Sequence, residues 1–172
     1  MLSLTEIQRL IIDVPDFPKP GVVFKDITPI LENAEAFKSL SLHFAERVSP
    51  QANKIVAIES RGFILGAAIS QHLNVGLVIA RKPGKLPRQT IRETYQLEYG
   101  EDSLEIHKDA LRPGDKIVIV DDVLATGGTA RAAEALCEKS GAVVLGSVFL
   151  MELGFLKGRD KLKNQMQSLI LV

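Results

Sequence analysis

Asp121 and Asp122 stand directly before Val123-Leu124-Ala125-Thr126-Gly127-Gly128-Thr129, and that order of residue types narrows the chemistry available. Residues 125–129 are too small and flexible to build a core, but they can expose backbone N–H groups. A helix predicted over 130–139 has its positive dipole end at that turn. Free N–H groups at a helix N-terminus make an anion site, most often for phosphate. The two carboxylates beside it cannot hold phosphate, yet they can accept hydrogen bonds from neighbouring sugar hydroxyls. The run before them, Ile117-Val118-Ile119-Val120, is unbroken and β-branched, as in a parallel strand covered on both faces. The acids are therefore expected where this strand leaves the sheet, the end at which open α/β sheets bind ligands. A Walker A loop would add Gly-Lys-Ser/Thr after its glycines, and a dinucleotide fingerprint would read Gly-x-Gly-x-x-Gly. Neither is present.

A second strand end repeats the arrangement. Lys54-Ile55-Val56-Ala57-Ile58 is closed by Glu59-Ser60-Arg61-Gly62, where Gly62 would let backbone approach a ligand. Arg61 is either a strand-end salt bridge or an anion clamp facing the same crevice. Residues 81–93 hold five basic residues, one acid, two prolines and a glycine, without sustained periodicity. Arg81, Lys82, Lys85, Arg88 and Arg92 read either as a solvated basic loop or as a mobile loop that closes over a polyanion. A nucleic-acid groove is disfavoured by zero net charge and few nearby aromatics.

These residues need a scaffold, and the rest of the chain supplies one. Strands predicted at 54–58, 75–80, 117–120, 142–150 and 168–172 alternate with helices at 63–73 and 130–139, which argues for a parallel twisted sheet. Before it come a helix over 5–12 and a stretch with three prolines in nine residues, read as a fixed extended arm. A short strand at 22–24, a turn at 25–29 and a helix over 35–48 follow. Residues 95–99 and 103–107 alternate as two exposed antiparallel strands or a hairpin around Gly100, and 155–163 is expected to be helical. The length of 172 residues suits one domain, 1–172, with about 1–34 as an N-terminal arm and hood. Lys plus Arg and Asp plus Glu number 21 each, which favours neither nucleic acid nor an anionic membrane. No apolar run is long enough for a membrane span, and the start lacks a signal-peptide pattern. The single cysteine, Cys137, excludes an internal disulfide and fits a reducing cytoplasm. It shares a helical face with Ala130, Ala133 and Leu136, so a core thiol is expected. His43, His72 and His107 lack the spacing of metal ligands.

The strand, acid pair and Thr126-Gly127-Gly128-Thr129 resemble the signature of the type I phosphoribosyltransferases. Pro18-x-Pro20-Gly21-Val22-Val23-Phe24, Glu59-Ser60-Arg61-Gly62-Phe63, Arg81-Lys82-x-Gly84-Lys85-Leu86-Pro87 and Leu97-Glu98-Tyr99-Gly100 occur with it in one order. Together, over roughly residues 5 to 165, they are similar to the adenine phosphoribosyltransferase family. The resemblance implies an α/β fold with a mainly parallel five-stranded sheet flanked by helices, a small N-terminal hood and a flexible loop. It implies transfer of phosphoribose from 5-phosphoribosyl 1-pyrophosphate to adenine, giving AMP and pyrophosphate, with Mg²⁺, by a homodimer.

By the same resemblance, the 5′-phosphate falls on Ala125, Thr126, Gly127, Gly128 and Thr129, and the ribose hydroxyls on Asp121 and Asp122, directly or through the hydrated metal. The metal is held mainly by substrate. Pyrophosphate is expected at Ser60 and Arg61, after a cis peptide between Glu59 and Ser60, with Arg81, Lys82 and Lys85 adding charge. Adenine is expected at Val23, Phe24 and Lys25, with Leu153 on its opposite face. Glu98 is the expected proton carrier, or else a solvent-facing strand acid, and Tyr99 helps close the loop. Two positions bear on specificity. The related 6-oxopurine enzymes usually carry aspartate where this chain has Ala125, which moves the proton chemistry to Glu98. The adenine family commonly has arginine where this chain has Lys25, and lysine cannot reproduce a planar bidentate contact.

Overall fold

The computed structural model describes residues 1–96 and 100–172. Those residues divide into two compact units, Met1–His43 and Phe44–Val172. The first begins with a reciprocal capping box. The Ser3 side chain accepts from the Glu6 N–H while the Glu6 side chain accepts from the Ser3 N–H, starting α1 (Leu4–Gln8). This helix is shorter than the apolar spacing suggests, because Ile12 already belongs to a strand. β1 (Ile12–Pro15) pairs antiparallel with β2 (Val23–Asp26), so the expected extended arm is a hairpin. Its turn is built from Asp16 at φ 57°, Gly21 at φ 84° and a cis Phe17–Pro18 bond. The Asp16 carboxylate accepts from the Gly21 N–H at 2.8 Å. The expected turn after Phe24 is instead the end of β2 followed by α2 (Thr28–Glu32), with Pro29 in its first turn where no N–H is missed. α3 (Ala34–Ala45) comes next.

The second unit carries the sheet. β3 (Lys54–Ile58), α4 (Arg61–Leu73) and β4 (Gly76–Ala80) follow the expected order. β5 (Thr90–Gln96) and β6 (Glu101–His107) form an antiparallel hairpin. β7 (Lys116–Leu124), α5 (Gly128–Lys139), β8 (Val143–Glu152) and β9 (Met166–Leu171) complete the chain. The five-stranded sheet runs β4-β3-β7-β8-β9, and every pairing in it is parallel. Unbroken apolar runs become its middle because both faces are covered; Ile117, Ile119 and Val120 have no exposed surface at all. On one face, Ile117 and Ile119 pack with Ala132, Ala133, Leu136 and Cys137 of α5. The hairpin contributes Leu104 and Ile106 to that cluster, so β6 is half core rather than an exposed strand.

Three further expectations fail. β7 does not end at Val120: Asp121, Val123 and Leu124 stay in register with Phe149, Met151 and Glu152 of β8. The two acids therefore lie within the strand. Residues 155–163 form two 3-10 turns, Gly154–Leu156 and Gly158–Lys161, separated by Lys157 at φ 51°. The irregular stretch after Ala80 ends earlier than expected, since β5 starts at Thr90. Arg81 also extends β4 outward by exchanging two backbone hydrogen bonds with Glu105, at 2.8 and 2.7 Å.

Candidate active site

The turn between β7 and α5 is shaped by glycine on both of its sides. Gly127 sits at φ 80° as the N-cap of α5, a position with no side-chain cap. The first N–H groups of the helix therefore have no side chain of their own to satisfy them. A Cβ on Gly127 would collide with the carbonyl oxygen of Gly158 and lie 3.0 Å from its carbonyl carbon. A Cβ on Gly158 would collide with the Ala125 carbonyl oxygen and lie 2.9 Å from Gly127 N. The two backbones thus touch, and the 3-10 turn at Gly158 fixes the curvature of residues 125–127. In the concavity is a cavity of about 90 Å³, bounded by Asp121, the turn and Phe149. Its size and the helix N-terminus beside it, which has no side-chain cap, suit a phosphate-sized anion.

The acid pair divides its work. Asp121 lines that cavity. Asp122 is buried and forms an ion pair with Arg61 Nε, while its own N–H donates to Asp121 Oδ1 at 2.9 Å. Burial and the adjacent Asp122 charge push the Asp121 carboxyl well above its ordinary range, with the Asp122 N–H and Arg61 acting the other way. Gly62 does not leave room for a ligand, as the sequence suggested. A Cβ there would lie 2.8 Å from Asp121 Oδ1 and 3.0 Å from the Val120 carbonyl, so the glycine lets α4 approach β7. The Glu59–Ser60 peptide is cis, as the resemblance implied, and exposed Ser60 precedes the first turn of α4.

The basic segment is already paired. Arg81 and Lys85 reach Glu59 Oε1 at 3.2 and 2.5 Å, and the Lys82 N–H donates to Glu59 Oε2 at 2.8 Å. Lys82 Nζ pairs with Asp102, Arg88 with Asp109, and Arg92 with Glu105. All five cations thus meet acids that arrive from β3 and from the far side of the hairpin. Burial opposes ionisation of Glu59, but Lys85, the Lys82 N–H and Arg81 outweigh it and lower its carboxyl to about 2. Its hub position was not read from sequence. The usable signal was an acid ending a buried strand, opposite a basic segment that held only one acid of its own.

Tyr95 of β5 is a further residue that sequence alternation left unremarked. Its hydroxyl lies 2.8 Å from Lys82 Nζ, 3.1 Å from Thr129 Oγ1 and 3.3 Å from Asp102 Oδ2. Its ring covers Gly128, where a Cβ would come within 3.2 Å of Tyr95 Cδ2. Glu98 and Tyr99 lie outside the described residues. In the first unit, Val23 is exposed, the Phe24 ring meets Phe17 edge-on at 5.1 Å, and Lys25 Nζ bridges both Asp13 oxygens at 2.7 Å. Leu153 is half-buried in the second unit, and its N–H donates to the Leu124 carbonyl at 2.9 Å. Cys137 is a core thiol, which burial and the charges of Glu138 and Glu134 push up to about 12.

Residues 29–168 match the family model described as the phosphoribosyl transferase domain. An adenine phosphoribosyltransferase of Syntrophotalea carbinolica is 51% identical over 160 residues, covering 92% of this chain and 94% of its own. The crystal structure of adenine phosphoribosyltransferase from Thermoanaerobacter pseudethanolicus superposes with a TM-score of 0.96 at 49% identity, covering 99% of this chain and 100% of its own. The Saccharomyces cerevisiae enzyme, complexed with adenine and an imino-altritol bisphosphate, gives a TM-score of 0.90 at 42% identity, over 96% of this chain and 97% of its own.

Proposed function

The chain belongs to the phosphoribosyl transferase domain family, and from that premise we propose that it transfers phosphoribose from 5-phosphoribosyl 1-pyrophosphate to adenine, giving AMP and pyrophosphate. The observation that carries the reading is the anion-sized cavity in which the unplugged N-terminus of α5 meets Asp121. A phosphorylated sugar matches both halves of that site: phosphate on residues 125–129, hydroxyls on Asp121 and, once Arg61 yields, Asp122. Arg61 stands next to Ser60 at the neighbouring strand end, and with Arg81, Lys82 and Lys85 it is assigned to pyrophosphate. Adenine recognition is assigned to Val23, Phe24 and Lys25.

Breaking the bond from C1 to pyrophosphate leaves an electron-poor sugar and a strongly negative leaving group. The protein's task is to hold both reactants in line and to place positive charge where the leaving group forms. Adenine shifts electron density as it attacks through N9, so a proton must be moved, and Glu98 is assigned that role, with Tyr99 closing the loop beside it. Ala125 offers no acid of its own, which supports the choice of adenine over 6-oxopurines. The donor set also suits Mg²⁺, which takes one or two carboxylates together with substrate phosphates. Asp121 and Asp122 would stand near the ion, which substrate would mainly hold, and among the described residues no group of three or more His, Cys, Asp or Glu converges into a complete cage. Bound with the substrate, the ion would neutralise charge on the leaving group. The family resemblance supports a homodimer, and a single buried cysteine fits a cytoplasmic setting.

Purified protein supplied with 5-phosphoribosyl 1-pyrophosphate, Mg²⁺ and one base at a time tests the assignment. AMP and pyrophosphate are expected with adenine. Product from guanine or hypoxanthine, with none from adenine, overturns it.

A further inference from the structure

The Tyr95 hydroxyl has one proton and two lone pairs for three polar neighbours, so the direction of each bond can be deduced. Lys82 is an ammonium and only donates; it occupies one lone pair at 2.8 Å. Burial opposes the charges of Lys82 and Asp102, yet their pairing raises the ammonium and lowers the carboxyl, so Asp102 only accepts. The Tyr95 proton therefore points to Asp102, at 3.3 Å. The remaining lone pair receives the Thr129 hydroxyl, at 3.1 Å. In this arrangement the Thr129 proton is turned toward Tyr95 and away from any anion in the turn.

A phosphate seated on residues 125–129 reverses what Thr129 needs. Its hydroxyl must donate to the anion, and it is then free to accept. Among the described residues, Tyr95 is the side chain already at hydrogen-bond distance that can become its donor. Asp102 can release the Tyr95 proton without being orphaned, since it keeps Lys82 and the Ser103 N–H at 2.7 Å. Resting on the ribose-phosphate reading above, we propose that Tyr95 is a positioning residue. Its hydroxyl aims the Thr129 hydroxyl at the substrate's 5′-phosphate, changing from acceptor to donor when the anion arrives. A hydroxyl that accepts one hydrogen bond while donating another is polarised toward its acceptor, so Thr129 holds the phosphate more strongly with Tyr95 behind it. The ring has a separate duty in covering Gly128. Tyr95→Phe keeps that cover and removes only the hydroxyl.

The test is a double-mutant cycle on AMP binding, measured by titration calorimetry with the whole chain: wild type, Tyr95→Phe, Thr129→Val and the double variant. Thermal unfolding of each variant verifies that it is folded. Tyr95→Phe is expected to weaken AMP binding about 3- to 10-fold, the range of one ordinary hydrogen bond, and to have less than about a twofold effect once Thr129 is Val. In steady-state assays the same change is expected to raise KM for 5-phosphoribosyl 1-pyrophosphate while kcat stays within about twofold. An unchanged AMP affinity in Tyr95→Phe overturns the proposal, and so does an equal loss in both Thr129 backgrounds. Wild-type protein that fails to bind AMP overturns the ribose-phosphate reading itself and this role with it, so the two failures are distinct.

Discussion

Gly158→Ala is the sharpest test of how the anion turn is shaped, because Gly158 lies outside every motif that marks the site. Its backbone has no left-handed angle to protect, so the substitution adds only a methyl group. That methyl would stand 2.9 Å from Gly127 N and 3.1 Å from the Ala125 carbonyl carbon, and it would overlap the Ala125 carbonyl oxygen. Ordinary contact needs about 3.5 Å or more, so the turn or the 3-10 segment must retreat by roughly 1 Å. The obstacle is backbone on both sides, with no side chain that could swing aside. Overpacking of this kind costs about 1–3 kcal/mol. For a chain of this size that lowers Tm by about 3 to 10 °C. The larger effect should fall on function. A shift of about 1 Å in groups that position a substrate costs on the order of 100-fold. The assay compares kcat/KM for 5-phosphoribosyl 1-pyrophosphate with Tm, wild type against variant. A variant with unchanged Tm and unchanged kcat/KM would show that the turn does not depend on Gly158, and the reasoning would fail.

Three other outcomes are expected. Glu98→Gln should lower kcat by about 100-fold or more, as for a lost general acid or base, with little change in 5-phosphoribosyl 1-pyrophosphate binding; equal activity removes Glu98 from the mechanism. Glu59 has a folded-state value near 2 against 4.5, so its contribution to stability is present above 4.5 and is lost as pH falls toward 2. Urea unfolding across that window should show a steeper loss for wild type than for Glu59→Gln, and identical slopes would count against the hub. The buried Cys137 thiol, pushed up to about 12, should react with a disulfide reagent at neutral pH only as fast as the protein opens. Rapid labelling of the folded chain would contradict its placement.

Much of the sheet was legible because its runs are β-branched and unbroken, as in Lys54–Ile58, whose strand has the expected bounds. The acid pair and the small-residue turn were legible for a different reason, since their residue types do little except bind. What could not be read is whatever depends on a distant partner. Val120 looked like a strand end because charged residues follow it, yet pairing with β8 carries β7 on to Leu124. Gly62 was expected to let backbone approach a ligand and Gly158 fell inside an expected helix, and only the packed chain reveals that one admits β7 and the other the anion turn. Arg81, Lys82 and Lys85 looked like free charge because Glu59 and Asp102 are far away along the chain. Tyr95 was hidden in an alternating strand, where a half-exposed aromatic is unremarkable.

The pairing of every cation between Arg81 and Arg92 with an acid also bears on how the site meets the rest of the cell's solutes. A bare cluster of five positive charges would project an attractive potential and draw in any polyanion, with capture rates that collapse as ionic strength rises. Here four carboxylates stand within a few ångströms of the five charges, Glu59 serving two of them, so most of the field is offset locally. Encounter with an anionic substrate is then set by ordinary diffusion and should vary only weakly with added salt. Long-range capture is weakened accordingly, and most of the positive charge becomes available only to a ligand close enough to displace the carboxylates.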